Sequence, residues 1–225
     1  APVVLAGCGP LLLLLATQYL RAGVEIAAIL DTTPRNRYRA ALKHIPGALR
    51  NASTLLKGVG LLRELRRAGV RHIKGVSALR AEGSGQLERV LWKQQGVDKW
   101  QALETPTLLL HQGVIPNTQI TRAVDCHHEW DEQQLSWRPR LNEWLNTDIP
   151  GIAVAGDGGG IVGAKAAAMQ GQLAGLGAAL ALDKLTLANS TERAQPIRKA
   201  LARDTAIRPF LDVLYRPAKQ WRLPD

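Results

Sequence analysis

The chain has 225 residues, 46% of them hydrophobic, and a formal net charge of +10 at neutral pH. Such a chain is long and apolar enough to bury one large core or two modest ones, which excludes a disordered or fibrous protein. The two cysteines, Cys8 and Cys126, lie far apart and form no C-x-x-C pair, which excludes a redox-active dithiol. We therefore expect a reduced, cytoplasmic protein, and we predict no metal site because no Cys and His residues have zinc spacing.

The positive charge is uneven, with one basic stretch in the first third of the chain and a second from Arg193 to Arg222. Between Arg35 and Lys74 the sequence has eleven Lys or Arg residues and a single acidic residue, Glu64. A basic stretch of this kind can bind nucleic acid. However, no nucleic-acid-binding module is recognisable, and Tyr38 is the only aromatic residue of the stretch. We therefore interpret it as a solvated basic face that meets an acidic partner subunit or an anionic cofactor.

The first predicted elements form a βαβ unit. The apolar run over residues 3–6 predicts a buried strand, Gly7-Cys8-Gly9-Pro10 follows it, and an apolar segment of helical length extends to about Arg21. A second strand is predicted over residues 24–30 and ends in Asp31. The glycines and the acidic residue have the spacing of a dinucleotide fingerprint, in which the acid binds a ribose hydroxyl.

The candidate nucleotide-binding residues of this unit are Gly7, Gly9, Pro10 and Asp31. Pro10 suits the first helical turn, because the N–H that it lacks would be unpaired there. Leu12 occupies the third glycine position of the fingerprint, where it would hold the helix away from the strand. This departure weakens the prediction of a nicotinamide dinucleotide.

The apolar start of the chain raises two alternatives, a lipoprotein signal and a membrane span. Leu5-Ala6-Gly7-Cys8 has the letters of a lipoprotein cleavage site, but the apolar run follows the cysteine and no basic residue precedes it. Residues 3–20 are interrupted by two glycines and a proline, which is unfavourable for a membrane-spanning helix. We therefore predict neither.

The next elements continue the parallel sheet. A basic helical region is predicted over residues 36–43, and Pro46 and Gly47 predict its break. An amphipathic helix over residues 52–68 then leads into a third parallel strand over residues 70–73.

After the third strand, the pattern predicts an antiparallel meander and a loop. The meander strands are short and lie over residues 77–80, 86–93 and 100–103. A buried strand over residues 107–110 leads into a loop in which Gly113 lets backbone approach a ligand, Pro116 fixes the exit and Asn117 bonds its own backbone. These three are candidate cofactor-binding residues, although a well-made loop without a ligand has the same composition.

The most informative string lies near residue 156. The apolar run over residues 152–155 predicts a buried strand, which ends in Gly156-Asp157 before a small-residue helix over residues 160–181. A carboxylate and free backbone N–H groups at one point can hold a ribityl hydroxyl or a phosphate. The simpler alternative is a plain turn with Asp157 as the helix N-cap. Basic helices are predicted over residues 190–220.

Three strings, in order, resemble the pyridine nucleotide-disulfide oxidoreductase superfamily of FAD-dependent enzymes. They are Gly7-Cys8-Gly9-Pro10, Gly113-x-x-Pro116-Asn117-Thr118 and the string from Thr147 to Asp157. Within the superfamily, the first and last strings look like the FAD-carrying subunits of heteromeric amine dehydrogenases, such as opine oxidase, hydroxyproline or proline dehydrogenase and hydrogen cyanide synthase.

The resemblance implies an α/β fold with a Rossmann-like parallel sheet, an antiparallel β-meander and part of a second, FAD-type α/β domain. It implies an NAD(P)-type nucleotide-binding domain over residues 1–105, the C-terminal part of an FAD-binding domain over residues 106–185 and a basic helical tail over residues 186–225. Gly156 and Asp157 then line the FAD site. The N-terminal FAD fingerprint and the cysteine-rich iron–sulfur module of such subunits are absent, so we interpret the sequence as a fragment that is inactive alone.

The resemblance also implies a flavin-dependent oxidoreductase that positions FAD and passes electrons, with a second subunit that carries the site for a small amine or amino-acid substrate. The ligand of the first domain stays open between NAD(P) and ATP, since Asp31 fits an unphosphorylated ribose whereas Arg35 and Arg37 fit a 2′-phosphate. No catalytic residue stands out, and His111 is interpreted as structural. The alternative function is a non-catalytic adenine-nucleotide-binding or subunit-docking module.

Overall fold

The computed structural model describes residues 2–221, which divide into two compact units. Within these residues, the first unit holds 2–113 and 209–221, and the second holds 114–208. The strands are β1 (Val3–Cys8), β2 (Ile26–Asp31), β3 (His72–Lys74), β4 (Val76–Glu82), β5 (Arg89–Gln94), β6 (Gln101–Glu104), β7 (Leu108–Gln112), β8 (His128–Asp131) and β9 (Ser136–Pro139). The α-helices are α1 (Pro10–Arg21), α2 (Arg35–Ala41), α3 (Ile45–Leu49), α4 (Ala52–Arg67), α5 (Gln119–Ala123), α6 (Ala164–Ala181), α7 (Leu187–Thr205) and α8 (Arg208–Leu214).

Four parallel strands form a sheet in the first unit, in the order β3, β2, β1, β7. β1 lies in the middle, and its Gly7 is level with Asp31 of β2 on one side and His111 of β7 on the other. This is the strand order of half a doubly wound nucleotide-binding fold, in which ligands bind outside the carboxyl ends of the strands. The predicted Rossmann-like parallel sheet is confirmed.

Both faces of this sheet are covered, because alternate side chains of β1 point in opposite directions. Val4 and Ala6 are at most 1% exposed and share a core with Trp92 of β5. Leu5 is equally buried and packs on the other face with Leu12 of α1. The continuous apolar run of β1 is what a strand covered on both faces requires.

The antiparallel meander of β4, β5 and β6 is also as predicted. The basic helix before it, α2, ends at Ala41, ahead of Pro46 and Gly47 as predicted. A 3-10 helix over Leu42–His44 follows. Pro46 then lies in the first turn of the short helix α3, where its missing N–H has no helical partner to lose.

In the second unit, the described residues form one hairpin and packed helices. The hairpin pairs β8 with β9 and places the rings of Trp130 and Trp137 edge to face, with centroids 5.6 Å apart. α6 packs against α7, and Trp144 lies in the core between them with Leu173 and Ala194. The α/β class is confirmed, with one parallel and two antiparallel sheets among the described residues.

The buried strand predicted over residues 152–155 is wrong. This segment forms only an isolated bridge between Ala153 and Asn146, and Ala153 and Ala155 are exposed. A strand exists only with hydrogen-bonded neighbours, and within the second unit the described residues provide this segment with a single bridge partner. The following helix, α6, begins at Ala164 instead of residue 160, after a 3-10 helix over Gly156–Gly159.

The compact units have other bounds than the predicted domains. β7 belongs to the sheet of the first unit, so that unit reaches residue 113, and α7 packs on α6 of the second unit. The nucleotide-binding roles that we assigned to residues 1–105 and 106–185 stay predictions. Among the described helices, none has the length and apolarity that crossing a bilayer requires.

Candidate nucleotide-binding sites

The glycines of the first loop, between β1 and α1, are required by geometry. Gly7 has φ of 146°, and a Cβ at this position would lie 1.7 Å from the carbonyl oxygen of His111 in β7. Gly9 is the N-cap residue of α1 with φ of 105°, and Pro10 opens the helix. No side chain caps α1. The loop therefore leaves the backbone N–H groups of the helix start as its hydrogen-bond donors, as a nucleotide phosphate requires.

Asp31 ends β2 next to this loop and is 7% exposed. One carboxylate oxygen accepts the backbone N–H of Thr33 at 2.9 Å, and the other lies 3.1 Å from Nε2 of His72 in β3. Burial alone raises the pKa of Asp31, but the bonds from His72 and Thr33 outweigh it and hold the pKa below its usual value. Each oxygen has a partner within the protein, so a ribose hydroxyl would use the remaining lone pairs.

Leu12 fills the position of the third fingerprint glycine. Its side chain is buried between α1 and the sheet, where it packs with Leu5, Leu13 and Ile29. α1 thus rests on the sheet through a leucine, whereas the dinucleotide fingerprint places a glycine here for close helix–strand packing.

The second candidate site is built around the start of α6. Gly156 has φ of 79°, and its N–H donates to Oε1 of Gln170 at 2.7 Å. Oδ1 of the exposed Asp157 accepts the backbone N–H groups of Val162 at 2.8 Å and Gly163 at 3.0 Å. The carboxylate therefore holds the segment that leads into α6.

This geometry differs from the simple capping alternative. The N-cap residue of α6 is Gly163, with φ of 95° and no side-chain cap, and Asp157 bonds to the residues just before the helix. The first turn of α6 carries Ala164 and Lys165, both exposed. The site thus combines an uncapped helix start, an exposed carboxylate and small residues that let a ligand approach the backbone.

The predicted loop before α5 contributes to the same site through one residue. Asn117 accepts the backbone N–H of Gln119 at 3.2 Å, as expected of a side chain that bonds its own turn. The backbone carbonyl oxygen of Asn117 lies 3.9 Å from the position that a Cβ on Gly158 would occupy. Pro116 is buried beside it, and Gly113 adopts φ of 90°.

Two glutamines that support the second site were not recognisable in the sequence. Gln170 lies on the second turn of α6 and fixes Gly156. The side chain of Gln134, in the turn between β8 and β9, bonds both the N–H and the carbonyl oxygen of Ile161 at 3.2 Å. The partners of the Gln170 contact are 14 positions apart in the sequence, and those of the Gln134 contacts are 27 positions apart. No local sequence pattern therefore predicts them.

Two histidines of the second unit, His127 and His128, make contacts within the protein. His128 lies between the hydroxyl of Thr121 at 2.8 Å and the carbonyl oxygen of Cys126 at 2.7 Å. His127 lies 3.3 Å from the carboxylate of Asp148. Across residues 2–221, no group of three His, Cys, Asp or Glu side chains is arranged to hold a metal ion.

Comparison with known proteins identifies relatives along nearly the whole chain. The A-subunit of opine oxidase from Rhizobium meliloti is 38% identical over 224 residues, which cover 99% of this chain and 42% of that protein. The chain is a homologue of this opine oxidase component. The HcnB component of hydrogen cyanide synthase from Pseudomonas protegens is 29% identical over 232 residues, which cover 100% of this chain and 48% of that protein. The resemblance to subunits of opine oxidase and hydrogen cyanide synthase that the motifs indicated is confirmed.

The chain spans about half the length of the curated relatives it matches. No model of a protein family matches it. Among solved structures, thioredoxin reductase from T. acidophilum matches with a TM-score of 0.49 and 15% identity, over 96% of this chain and 52% of that one.

Proposed function

We propose that the chain is part of a flavin-dependent oxidoreductase of the amine, opine or amino-acid dehydrogenase subunit type. The observation that carries this proposal is the start of α6, where an uncapped helix end and the carboxylate of Asp157 meet in a segment of small residues. Homology to the opine oxidase component supports it, since that protein is named as a subunit of an oxidase.

The residues of the second unit would hold FAD in distinct ways. The N–H groups at the start of α6 would bind the pyrophosphate, because a helix N-terminus favours negative charge. Asp157 has one oxygen committed to Val162 and Gly163, and its other oxygen would accept a ribityl or ribose hydroxyl. Gln170 keeps the Gly156 turn rigid, and the loop of Pro116 and Asn117 would line the cofactor. The flavin supplies the redox chemistry, and we assign no catalytic residue to the chain.

The first unit would bind a second adenine nucleotide, NAD(P) or ATP, through Gly7, Gly9, Pro10 and Asp31. Its strand order and its glycine loop at the start of α1 support this assignment.

A partner subunit would carry the site for a small amine or amino-acid substrate, and electrons would pass between that site and FAD. The relatives are named as subunits, and the basic stretch from Arg35 to Lys74 offers a face for an acidic partner. A cytoplasmic location fits two cysteines that form no disulfide.

The first test is the flavin content of the polypeptide that contains this chain, purified with its partner subunit. We expect a yellow protein with the absorption spectrum of oxidised flavin. Replacing Asp157 by Ala removes an acceptor of charge-assisted hydrogen bonds, which we expect to weaken FAD binding about tenfold to hundredfold. The matched control is Asp148→Ala, which also removes a carboxylate bonded to a backbone N–H in the same unit. A colourless protein that takes up no FAD would contradict the proposal.

The alternative function is a non-catalytic adenine-nucleotide-binding module, and the glycine loop of the first unit favours it specifically. A thermal-shift comparison of NAD, NADP, ATP and FAD separates the two functions, because a ligand of the native state raises its stability. Stabilisation by ATP alone would favour the module over the oxidoreductase.

A further inference from the structure

The chain returns to the first unit after α7, and its last described segment lies on the carboxyl ends of the parallel strands. Residues 209–221, here called the covering segment, belong to the first unit. The backbone carbonyl of Tyr215 lies 3.7 Å from Sγ of Cys8, the last residue of β1. Gln220 donates its side-chain N–H to the backbone carbonyl oxygen of Ser77, near the start of β4, at 2.9 Å.

The side chain of Tyr215 in the covering segment lies near Asp31, one of the residues that we assigned to the nucleotide. Burial raises the pKa of the Tyr215 phenol, and so does its proximity to Tyr38, Asp31 and Cys8. Burial also lowers the pKa of Arg37 in α2, as does the neighbouring guanidinium of Arg216. Tyr215, whose backbone contacts Cys8, therefore lies near the ends of β1 and β2, and Arg216 lies near Arg37 of α2.

The glycine loop is already shielded. Cys8 is 2% exposed, and Gly7 and Gly9 on either side of it are buried. In open α/β sheets, the crevice outside the carboxyl ends of the strands is where ligands bind. The covering segment lies in that same place, and Leu214 and Pro217 anchor it with buried side chains.

We propose that the covering segment and an adenine nucleotide compete for the same surface of the first unit, so that the nucleotide binds only when residues 209–221 move away from Cys8. The segment then acts as a built-in competitor that sets the apparent affinity of the first unit. This inference rests on the nucleotide role proposed for the first unit, and it does not depend on FAD binding by the second.

Competition makes a quantitative demand. If only the open form binds, the apparent dissociation constant equals the intrinsic one divided by the open fraction. The Cys8 thiol reacts with an alkylating reagent only in the open form, so its labelling rate rises with the same open fraction. A variant that loosens the covering segment must therefore raise the labelling rate and lower the dissociation constant by the same factor.

The experiment uses the whole chain with Cys126→Ser, so that Cys8 is the only thiol. Tyr215→Ala removes a half-buried ring, and we expect Cys8 labelling to accelerate about tenfold. We expect the dissociation constant of whichever nucleotide binds, among NADH, NADPH and ATP tested separately, to fall by an equal factor. Tyr215→Phe keeps the ring and should leave both quantities unchanged.

A milder variant keeps the test decisive if Tyr215→Ala does not fold. Gln220→Ala removes a single hydrogen bond, so labelling and affinity should both rise about twofold to tenfold. Faster labelling of Cys8 with an unchanged nucleotide dissociation constant would overturn the proposal. So would faster labelling in a protein that binds none of the three nucleotides. An unchanged labelling rate would show that the segment does not shield Cys8. FAD content, read in the same samples, reports separately on the second unit.

Discussion

Asp31 shows how one residue can meet a sequence expectation and still have a second role. Its place at the end of β2 follows from the spacing of the fingerprint, and the structure confirms that place. Its bond to His72 joins residues 41 positions apart on neighbouring strands, and no local pattern contains that information. The carboxylate therefore fastens β2 to β3 whether or not a ribose also binds it.

Replacing Asp31 by Asn should lower the free energy of unfolding by about 1–3 kcal/mol at neutral pH. The reason is that His72 and the backbone N–H of Thr33 lose their bonds to a charged carboxylate. The folded pKa of Asp31 is lowered, so its contribution is complete above the unfolded pKa of about 3.9 and is lost as pH falls toward the folded value. Wild type should thus lose stability below about pH 4 more steeply than Asp31→Asn. Urea unfolding between pH 3 and 7 measures this.

The control for that experiment is Asp98→Asn, which removes a fully exposed carboxylate paired with Lys93. Exposed ion pairs contribute little, so its unfolding curve should follow the wild type at neutral pH. Equal losses in Asp31→Asn and Asp98→Asn would show that the bond to His72 does not stabilise the sheet.

Gly7→Ala tests the close approach between β1 and β7. The new Cβ would meet the backbone oxygen of His111, which cannot rotate away, so we expect a loss of about 3 kcal/mol or more. The matched control is Gly69→Ala, a glycine with φ of 73° and open space around it. Gly69→Ala should lower the free energy of unfolding by about 1–2 kcal/mol, the cost of a left-handed backbone conformation for alanine. Similar unfolding midpoints for the two variants would contradict the close approach.

At the scale of elements, the sequence predicted a strand correctly where its apolar run also found a neighbouring strand to pair with. β1, β2, β3 and the meander were recognisable because their apolar runs and turns lie in the sequence itself. The run over residues 152–155 is also apolar, but among residues 2–221 it forms a single isolated β-bridge, from Ala153 to Asn146. Composition predicts that a segment can form a strand, whereas a sheet partner decides whether it does.

α6 offers a test of small residues within one helix. A Cβ at Gly177 would lie 2.7 Å from Cβ of Trp144, whereas Gly175 has open space. Gly177→Ala should therefore lower the free energy of unfolding by about 1–3 kcal/mol. Gly175→Ala should raise it by about 0.5–1 kcal/mol, since Ala is the better helix former. Thermal unfolding of the two variants measures the difference, and shifts of the same sign would contradict the packing of Trp144 on α6.

At the scale of the whole molecule, the sequence predicted two kinds of site but not the path of the chain between them. The glycine loop, Asp157 and the start of α6 were identified from local spacing. The return of residues 209–221 to the first unit was not, because it depends on contacts such as that between Tyr215 and Cys8, which are 207 positions apart in the sequence. The basic helices predicted over residues 190–220 therefore end in two different units.

Each unit also contains a natural optical reporter. The indole of Trp92 is 2% exposed in the core of the first unit, and that of Trp144 is 7% exposed in the core of the second. Buried indoles emit at shorter wavelengths than hydrated ones, so unfolding of either core should shift its emission to the red. The chain has four further tryptophans, at positions 100, 130, 137 and 221, so each core is followed as a difference. The change in stopped-flow emission that is lost when Phe replaces Trp92 reports on the first core, and the change lost when Phe replaces Trp144 reports on the second.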